Sequence, residues 1–246
     1  NWQISQFRPE QVRSMNFPPE TVVWQAKKNG IESIAFTYTE PVIFYEYMLD
    51  TAKLAKEQGV KSVMISNGYI KEKPMAELCD HLSAVKIDLK AFTEKFYVEL
   101  CNGKLQPVLD TLRLLKKNKM WYEIVVLLVT TLNDSEDEIT QMCAWVHDEL
   151  GPDVPIHFSR FYPTYKIKNL PPTPVSTLTR AREIAMKAGL NFVYVGNVPG
   201  HEGESTYCPN CKRAIVRRIG YRGPEVAIRE GRCRYCDQPI PGIWET

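Results

Sequence analysis

The 246-residue chain has no uninterrupted apolar run of about 18 residues, and its start shows neither a charged n-region nor an apolar h-region. Neither a membrane-spanning helix nor a secretory leader is readable in it, so no membrane role and a cytoplasmic location are expected. Charge of one sign is scarce as well: 31 Lys and Arg against 29 Asp and Glu leave a net charge of +2. That excludes a whole-chain attraction to nucleic acid or anionic lipid, and any such contact has to come from a local patch. Internal repeats and low-complexity tracts are also missing, and there is no methionine at position 1, which is expected of a processed or truncated sequence. What is present is 44% hydrophobic residues, enough for one α/β core with a small appendage.

Seven cysteines fall into two classes. Cys79, Cys101 and Cys143 are scattered, whereas Cys208, Cys211, Cys233 and Cys236 form two C-x-x-C pairs, a spacing that reads as metal ligation and not as disulfides.

From Pro18 onward, short β-branched runs alternate with amphipathic stretches. Strands are predicted over Ile31–Thr37, Val60–Ser66, Ala84–Leu89, Tyr122–Val129, Val154–Phe158 and Asn191–Val195, with helices over Pro18–Asn29, Ile43–Gln58 and about Thr179–Lys187. Strands separated by helix-length segments make a parallel sheet with crossover helices. Ser135 and Glu138 form a capping box ahead of Ile139, Met142, Cys143 and Val146, which places Cys143 in the core. The run Asn169-Leu-Pro-Pro-Thr-Pro174 reads as a surface connection. After Val195 the periodicity stops and Gly, Pro, Arg and Cys take over, so the domains are expected at 1–199 and 200–246.

Nearly every predicted strand ends in polar residues: Thr37, Thr39 and Glu40; Ser66, Asn67 and Gly68; Asp88 and Lys90; Thr130, Thr131 and Asn133; His157, Ser159 and Arg160; Gly196 and Asn197. In parallel β/α folds the carboxyl ends of the strands build the active site, so these residues are expected to converge on one cavity. Glu40 precedes Pro41, which disfavours the α conformation and helps aim its carboxylate. Asp88 and Lys90 share a strand face by the period of two, either as part of a site or as a structural ion pair. His157, followed by Ser159 and Arg160, is either a ligand contact or a polar strand end that simply emerges into solvent.

At these residues the chain resembles the radical S-adenosylmethionine (SAM) superfamily, and most closely the radical SAM enzymes of the AmmeMemoRadiSam system, which are similar to pyruvate formate-lyase activating enzyme. Asn1-Trp-Gln-Ile-Ser5 looks like the stretch after the last cysteine of the family's cluster loop. Thr37-Tyr-Thr-Glu-Pro41 looks like its Gly-Gly-Glu-Pro motif, Ser66-Asn-Gly-Tyr69 like its third-strand motif, and Ile87-Asp-Leu-Lys90 like the Asp-x-Lys pair of glycyl-radical activases. The closing cysteines with Ile240-Pro-Gly-Ile-Trp244 also fit. The resemblance implies a partial (β/α)6 TIM-like barrel of parallel strands lacking its first strand, plus a small C-terminal zinc ribbon. It also implies an oxidoreductase-type enzyme that uses a [4Fe–4S] cluster to cleave SAM to a 5′-deoxyadenosyl radical for hydrogen abstraction. Glu40 would accept the methionyl ammonium and Lys90 would pair with the methionyl carboxylate. Thr39, Ser66, Asn67, Asp88 and His157 would line the rest of the SAM pocket, with Asp88 near the ribose or a cation.

The C-x-x-x-C-x-x-C loop that such a cluster needs occurs nowhere in the sequence. The chain is therefore expected to be an inactive fragment whose cluster loop lies before Asn1. The two C-terminal C-x-x-C pairs match tetrahedral zinc, with an auxiliary iron–sulfur cluster or a single iron as alternatives. Residues 212 to 234 hold eight Lys or Arg against Glu225 and Glu230, a local net of +6; this is either a grip on a polyanion or acidic partner, or a solvated face. Two functions compete: a radical SAM enzyme acting on a protein, peptide or small molecule, and a zinc-ribbon module binding RNA or protein on a silent α/β scaffold.

Overall fold

The protein is described by a computed structural model over residues 7–11, 13, 15–219 and 222–244. The Asn1 to Ser5 stretch lies outside these residues. In chain order the main elements are helix α1 (Pro19–Lys28), strand β1 (Ser33–Phe36), α2 (Tyr45–Glu57), β2 (Lys61–Ser66), α3 (Glu72–Cys79), β3 (Ala84–Asp88), α4 (Glu94–Leu100), α5 (Gln106–Lys117), β4 (Tyr122–Leu128), α6 (Glu136–Trp145), β5 (Ile156–Arg160), α7 (Val175–Lys187) and β6 (Val193–Gly196). The six strands form one sheet in the order β1-β2-β3-β4-β5-β6. The ladders β1–β2, β2–β3, β4–β5 and β5–β6 are all parallel, as the β/α alternation predicts. By compactness the chain divides into two units, one holding residues up to Asp88 with Gln106–Tyr122, the other Leu89–Leu105 with Glu123 onward.

In the first unit, Val23 and Ala26 of α1, Ala55 of α2 and Val60 form a buried cluster against which Ile34 and Leu54 pack. Helix α5 buries Val108, Leu109, Leu112 and Leu115 on one face, the spacing of an amphipathic helix. In the second unit, Ile124, Val126 and Leu128 alternate inward along β4, and Ile139, Met142 and Cys143 of α6 are buried. The Ser135 hydroxyl caps that helix, accepting from the Glu138 N–H. The reciprocal half of the predicted capping box does not form. Glu138 turns inward and its Oε1 accepts from the Phe92 N–H at 2.6 Å. Burial raises the pKa of this carboxyl group, and the Phe92 N–H opposes the rise.

Strand boundaries shift for local reasons. β5 begins at Ile156, not Val154, because Pro155 has no N–H and serves the ladder only by accepting from the Ile124 N–H. β6 begins at Val193 because Asn191 is engaged in a turn, its N–H on the Pro152 carbonyl and its side chain on Asp153. The Asn169–Pro174 connection is not wholly at the surface. Thr173 is fully buried, its Oγ1 donating to the Leu128 carbonyl at 2.5 Å and accepting from the Phe161 N–H at 3.3 Å. The connection is thereby tied to the carboxyl ends of β4 and β5. Among the described residues no helix is long and apolar enough to cross a membrane.

Thr173→Val keeps the volume and leaves the Leu128 carbonyl and the Phe161 N–H each short of a partner. It is expected to lower stability by about 1–3 kcal/mol, read as a lower denaturation midpoint at unchanged urea dependence.

Candidate functional sites

In the first unit the polar residues after β1 and β2 form one constellation. Glu40 is the extended residue ahead of the short turn Pro41–Phe44, and its half-buried carboxylate is held by three donors. Oε1 accepts from the Ser66 hydroxyl at 2.6 Å and the Val42 N–H at 3.3 Å, and Oε2 accepts from the Asn67 N–H at 2.8 Å. The Ser66 hydroxyl in turn accepts from the Gly68 N–H at 3.0 Å, and Asn67 Oδ1 from the Tyr69 N–H at 2.8 Å. Gly68 has φ +74°, and a Cβ there would meet Ile87 Cγ2 at 3.0 Å and Val108 Cγ1 at 3.3 Å, so the turn that aims Ser66 and Asn67 requires glycine. Thr39 beside Glu40 is half-buried. An ionised carboxylate offers about four acceptor positions, so three donors leave one on Oε2 for an incoming cation. Asp88 at the end of β3 is in an ion pair with Lys86, the residue two back on the same strand face. The period of two places Lys86 as well as Lys90 on the face of Asp88.

In the second unit, Lys90 is fixed through its backbone: its N–H donates to the Tyr97 hydroxyl at 3.1 Å and its carbonyl accepts from Asn133 Nδ2 at 2.6 Å. Asn133, expected as a cavity residue, is 1% exposed. It spends its side chain on backbone, donating also to the Leu127 carbonyl and accepting from the Val129 N–H. Thr130 bonds the Pro171 carbonyl. Arg160 donates to the Thr173 carbonyl and to the Tyr162 hydroxyl, and Asn197 donates to the Arg160 carbonyl. These groups close strand ends by bonding the backbone around them. His157 lies at the second position of β5, in register with Val125 and Tyr194. It is therefore mid-strand and not at a strand end. Its Nε2 is 2.8 Å from Glu123 Oε2 and its ring stacks on Tyr194 with centroids 4.6 Å apart. Glu123 and Tyr194 were missed, yet each is a polar-tipped residue alternating with buried apolar neighbours, which is the signal that would have found them.

The C-terminal cysteines build the third site. Cys208 Sγ is 3.6 Å from Cys236 Sγ, Cys211 Sγ is 3.7 Å from Cys233 Sγ, and all four lie within 4.8 Å of one another. Four sulfurs at about 2.3 Å from one ion with tetrahedral angles are about 3.8 Å apart, whereas a disulfide needs about 2.05 Å. The two knuckles repeat each other. The Lys212 and Asp237 N–H groups bond back to the Cys208 and Cys233 carbonyls, and the Cys208 and Cys233 N–H groups bond forward to the Arg213 and Gln238 carbonyls. Lys212 and Asp237 both have φ +60°. The Gln238 N–H pulls the Cys236 thiol down to about 6, while burial pushes the Cys208 thiol up to about 11. The site shares its core with β6: Phe192, Cys208, Ile215, Cys233 and Ile240 form one buried cluster that Tyr194 packs against. Several of the basic residues here are occupied within the chain, Arg218 on Thr206, Arg232 on Asp237, and Arg213 over Tyr235.

Residues 2–146 match the family model described as the radical SAM superfamily. The chain belongs to the radical SAM superfamily. It is 43% identical to a Methanocaldococcus jannaschii protein of uncharacterised function over 98% of this chain and 72% of that one. The fold is similar to a domain of pyruvate-formate lyase-activating enzyme from Bacteroides vulgatus, with TM-score 0.58 and 18% identity over 67% of this chain and 98% of that one. It is also similar to SuiB of Streptococcus suis bound to S-adenosylmethionine, with TM-score 0.61 and 13% identity over 76% of this chain and 45% of that one.

The cysteines of this radical SAM chain do not fit the cluster of the family. Cys79 sits at the end of α3, and burial pushes its thiol up to about 11. Cys143 is fully buried in α6, with its thiol pushed up to about 12. Cys101 follows α4. None of these spacings is C-x-x-x-C-x-x-C. Nor is the Cys208–Cys236 set a substitute, because in a four-iron cluster each thiolate is bonded to a different iron and the sulfurs spread wider than a single-ion site allows.

Purified without added metal, the protein is expected to hold one zinc per chain by elemental analysis. Cys211→Ser, which removes one of four thiolates, should lower that content and the thermal stability together. Iron with a visible absorption band would replace the zinc assignment by a rubredoxin-type one.

Proposed function

We propose that this chain is the SAM-holding body of a radical SAM enzyme resembling the glycyl-radical activases, acting on a protein or peptide, with its cluster ligands supplied from outside residues 1–246. The observation that carries the reading is the Glu40 carboxylate, fixed by Ser66, Asn67 and Val42 with one acceptor position left over. A carboxylate immobilised by donors it does not have to give up is a ready-made receptor for an ammonium group, because no reorganisation is needed when the cation arrives. Thr39 and Asn67 flank that position. Asp88 closes β3 and Lys90 lies two residues on; by the family resemblance Lys90 would pair with the methionyl carboxylate. Bound there and given one electron by a [4Fe–4S] cluster, SAM would supply a carbon radical for hydrogen abstraction, and the chain's own part is to orient the ligand and to exclude water. His157 is reassigned from the SAM pocket to the middle of the sheet.

The protein or peptide substrate is favoured by SuiB, a fold relative solved with its precursor peptide SuiA. In the ribbon, the arginines already engaged within the chain argue for a scaffold role over a polyanion grip. On this reading the domains divide at about residue 200 in sequence, although the ribbon's core continues into β6.

SAM titrated against the 246-residue chain is expected to bind weakly, and far more tightly to a protein in which these residues are joined to a C-x-x-x-C-x-x-C loop loaded with its cluster. In that loaded protein Glu40→Gln and Lys90→Ala should each weaken binding about tenfold to hundredfold, the worth of one charge-assisted hydrogen bond of about 1.5–3 kcal/mol. Equal affinity in both proteins, or no effect of either substitution, would remove the SAM reading.

A further inference from the structure

A cavity of about 280 Å³ opens on the second unit, lined by Glu123, His157, Tyr194, Val195, Glu204 and Arg218. Glu123, His157, Tyr194 and Val195 come from strands β4–β6, Glu204 from the segment before Cys208, and Arg218 from the stretch between the two cysteine pairs. In it, His157 is held on two sides. Nε2 donates to Glu123 Oε2 at 2.8 Å, since an ionised carboxylate can only accept, and the ring lies on Tyr194 with an interplanar angle of 19°. Nδ1 makes no hydrogen bond among the described residues, so it is the nitrogen that a ligand in the cavity would meet.

Tyr194 is itself fixed from the ribbon side. Its hydroxyl is 2.9 Å from Thr206 Oγ1, and the same oxygen accepts from Arg218 Nη1 at 2.9 Å. The guanidinium of Arg218 lies 5.8 Å from the Tyr194 ring centroid. Thr206 is two residues before Cys208, in strand β7 (Thr206–Tyr207), which pairs with β8 (Ala214–Arg217) directly before Arg218. The strands that surround the cysteines are two to four residues long. Sheets that short are marginal without a metal to close them.

We propose that the metal held by Cys208, Cys211, Cys233 and Cys236 is the positioning element of the Glu123–His157 pocket: metal binding orders Thr206 and Arg218, these fix Tyr194, and Tyr194 fixes the imidazole against Glu123 with Nδ1 facing the cavity. The ribbon is then a wall of the pocket and not a free-standing recognition module. By linkage, a ligand in the pocket and the metal in the ribbon stabilise each other. This inference is independent of whether the strand-end residues bind SAM.

The test is the ring-proton spectrum of the metal-loaded 246-residue chain labelled at histidine. An imidazole stacked on a phenol ring resonates upfield, and Tyr194→Leu identifies the His157 signal by abolishing that displacement. Chelating the metal is expected to abolish it as well, while His81, in the first unit, stays where it was. In Thr206→Val, with the metal content still at one per chain, the displacement should be reduced because Tyr194 has lost its anchor. A His157 signal that keeps its position through metal removal overturns the proposal. If chelation unfolds the chain, so that His81 moves too, the loaded Thr206→Val protein decides alone: a reduced displacement supports the proposal, and an unchanged one overturns it.

Discussion

Where parallel strands stop, their last N–H and carbonyl groups lose their ladder partners, and where they are buried solvent does not replace them. An orphaned buried group of this kind costs about 1–3 kcal/mol, and in this chain side chains supply the missing partners. Asn133 serves Lys90, Leu127 and Val129, Thr173 serves Leu128 and Phe161, Tyr97 serves Lys90, and Ser66 with Glu40 serves Gly68, Asn67 and Val42. The polar strand ends are thus first a structural necessity. A ligand site is whatever capacity remains within reach of a ligand after that necessity is met, and this is why half-buried Glu40, with an unfilled acceptor, stands apart from Asn133, which is 1% exposed.

The same constraint explains which parts of the molecule were legible in its sequence. Alternation along Tyr122–Leu128 and the 3.6-residue spacing along Gln106–Lys117 report burial directly, so the six strands and their crossover helices could be read off. Ser66, Asn67 and Glu40 were found together because each sits next to a turn signal, Gly68 or Pro41. Thr173 was not, because its burial depends on which carbonyl ends up beside it, and that is set by residues some 45 positions away at Leu128. Glu138 misled for the same reason. Its spacing from Ser135 is that of a capping box, but a long-range partner at the Phe92 N–H outcompeted the local one. His157 is expected near a strand end because the predicted strand stops at Phe158, whereas β5 runs on to Arg160 and leaves His157 as its second residue.

The cysteines show how little residue type says without geometry. Cys143 and Cys208 are both fully buried, and in both burial disfavours the thiolate. Cys143 lies with Ile139 and Met142 among the buried residues of α6 and remains a small core side chain. Cys208 has three further sulfurs and backbone N–H groups around it, so a cation there would reverse the penalty that burial imposes.

That reversal links the ribbon to the rest of its unit. Phe192 and Tyr194 of the β6 segment pack on the same cluster as Cys208 and Cys233, so the apolar area that the ribbon buries is shared with the sheet and is not its own. Two-residue strands contribute few ladder bonds, and a ribbon of this size has too small a core to hold itself closed. Its order would therefore rest on two contacts, an ion held by the four cysteines at one end and the sheet at the other, and loss of either would weaken the hold on the other. A mid-strand tyrosine that touches both a core cysteine cluster and a carboxylate-bound imidazole is where those two contacts meet.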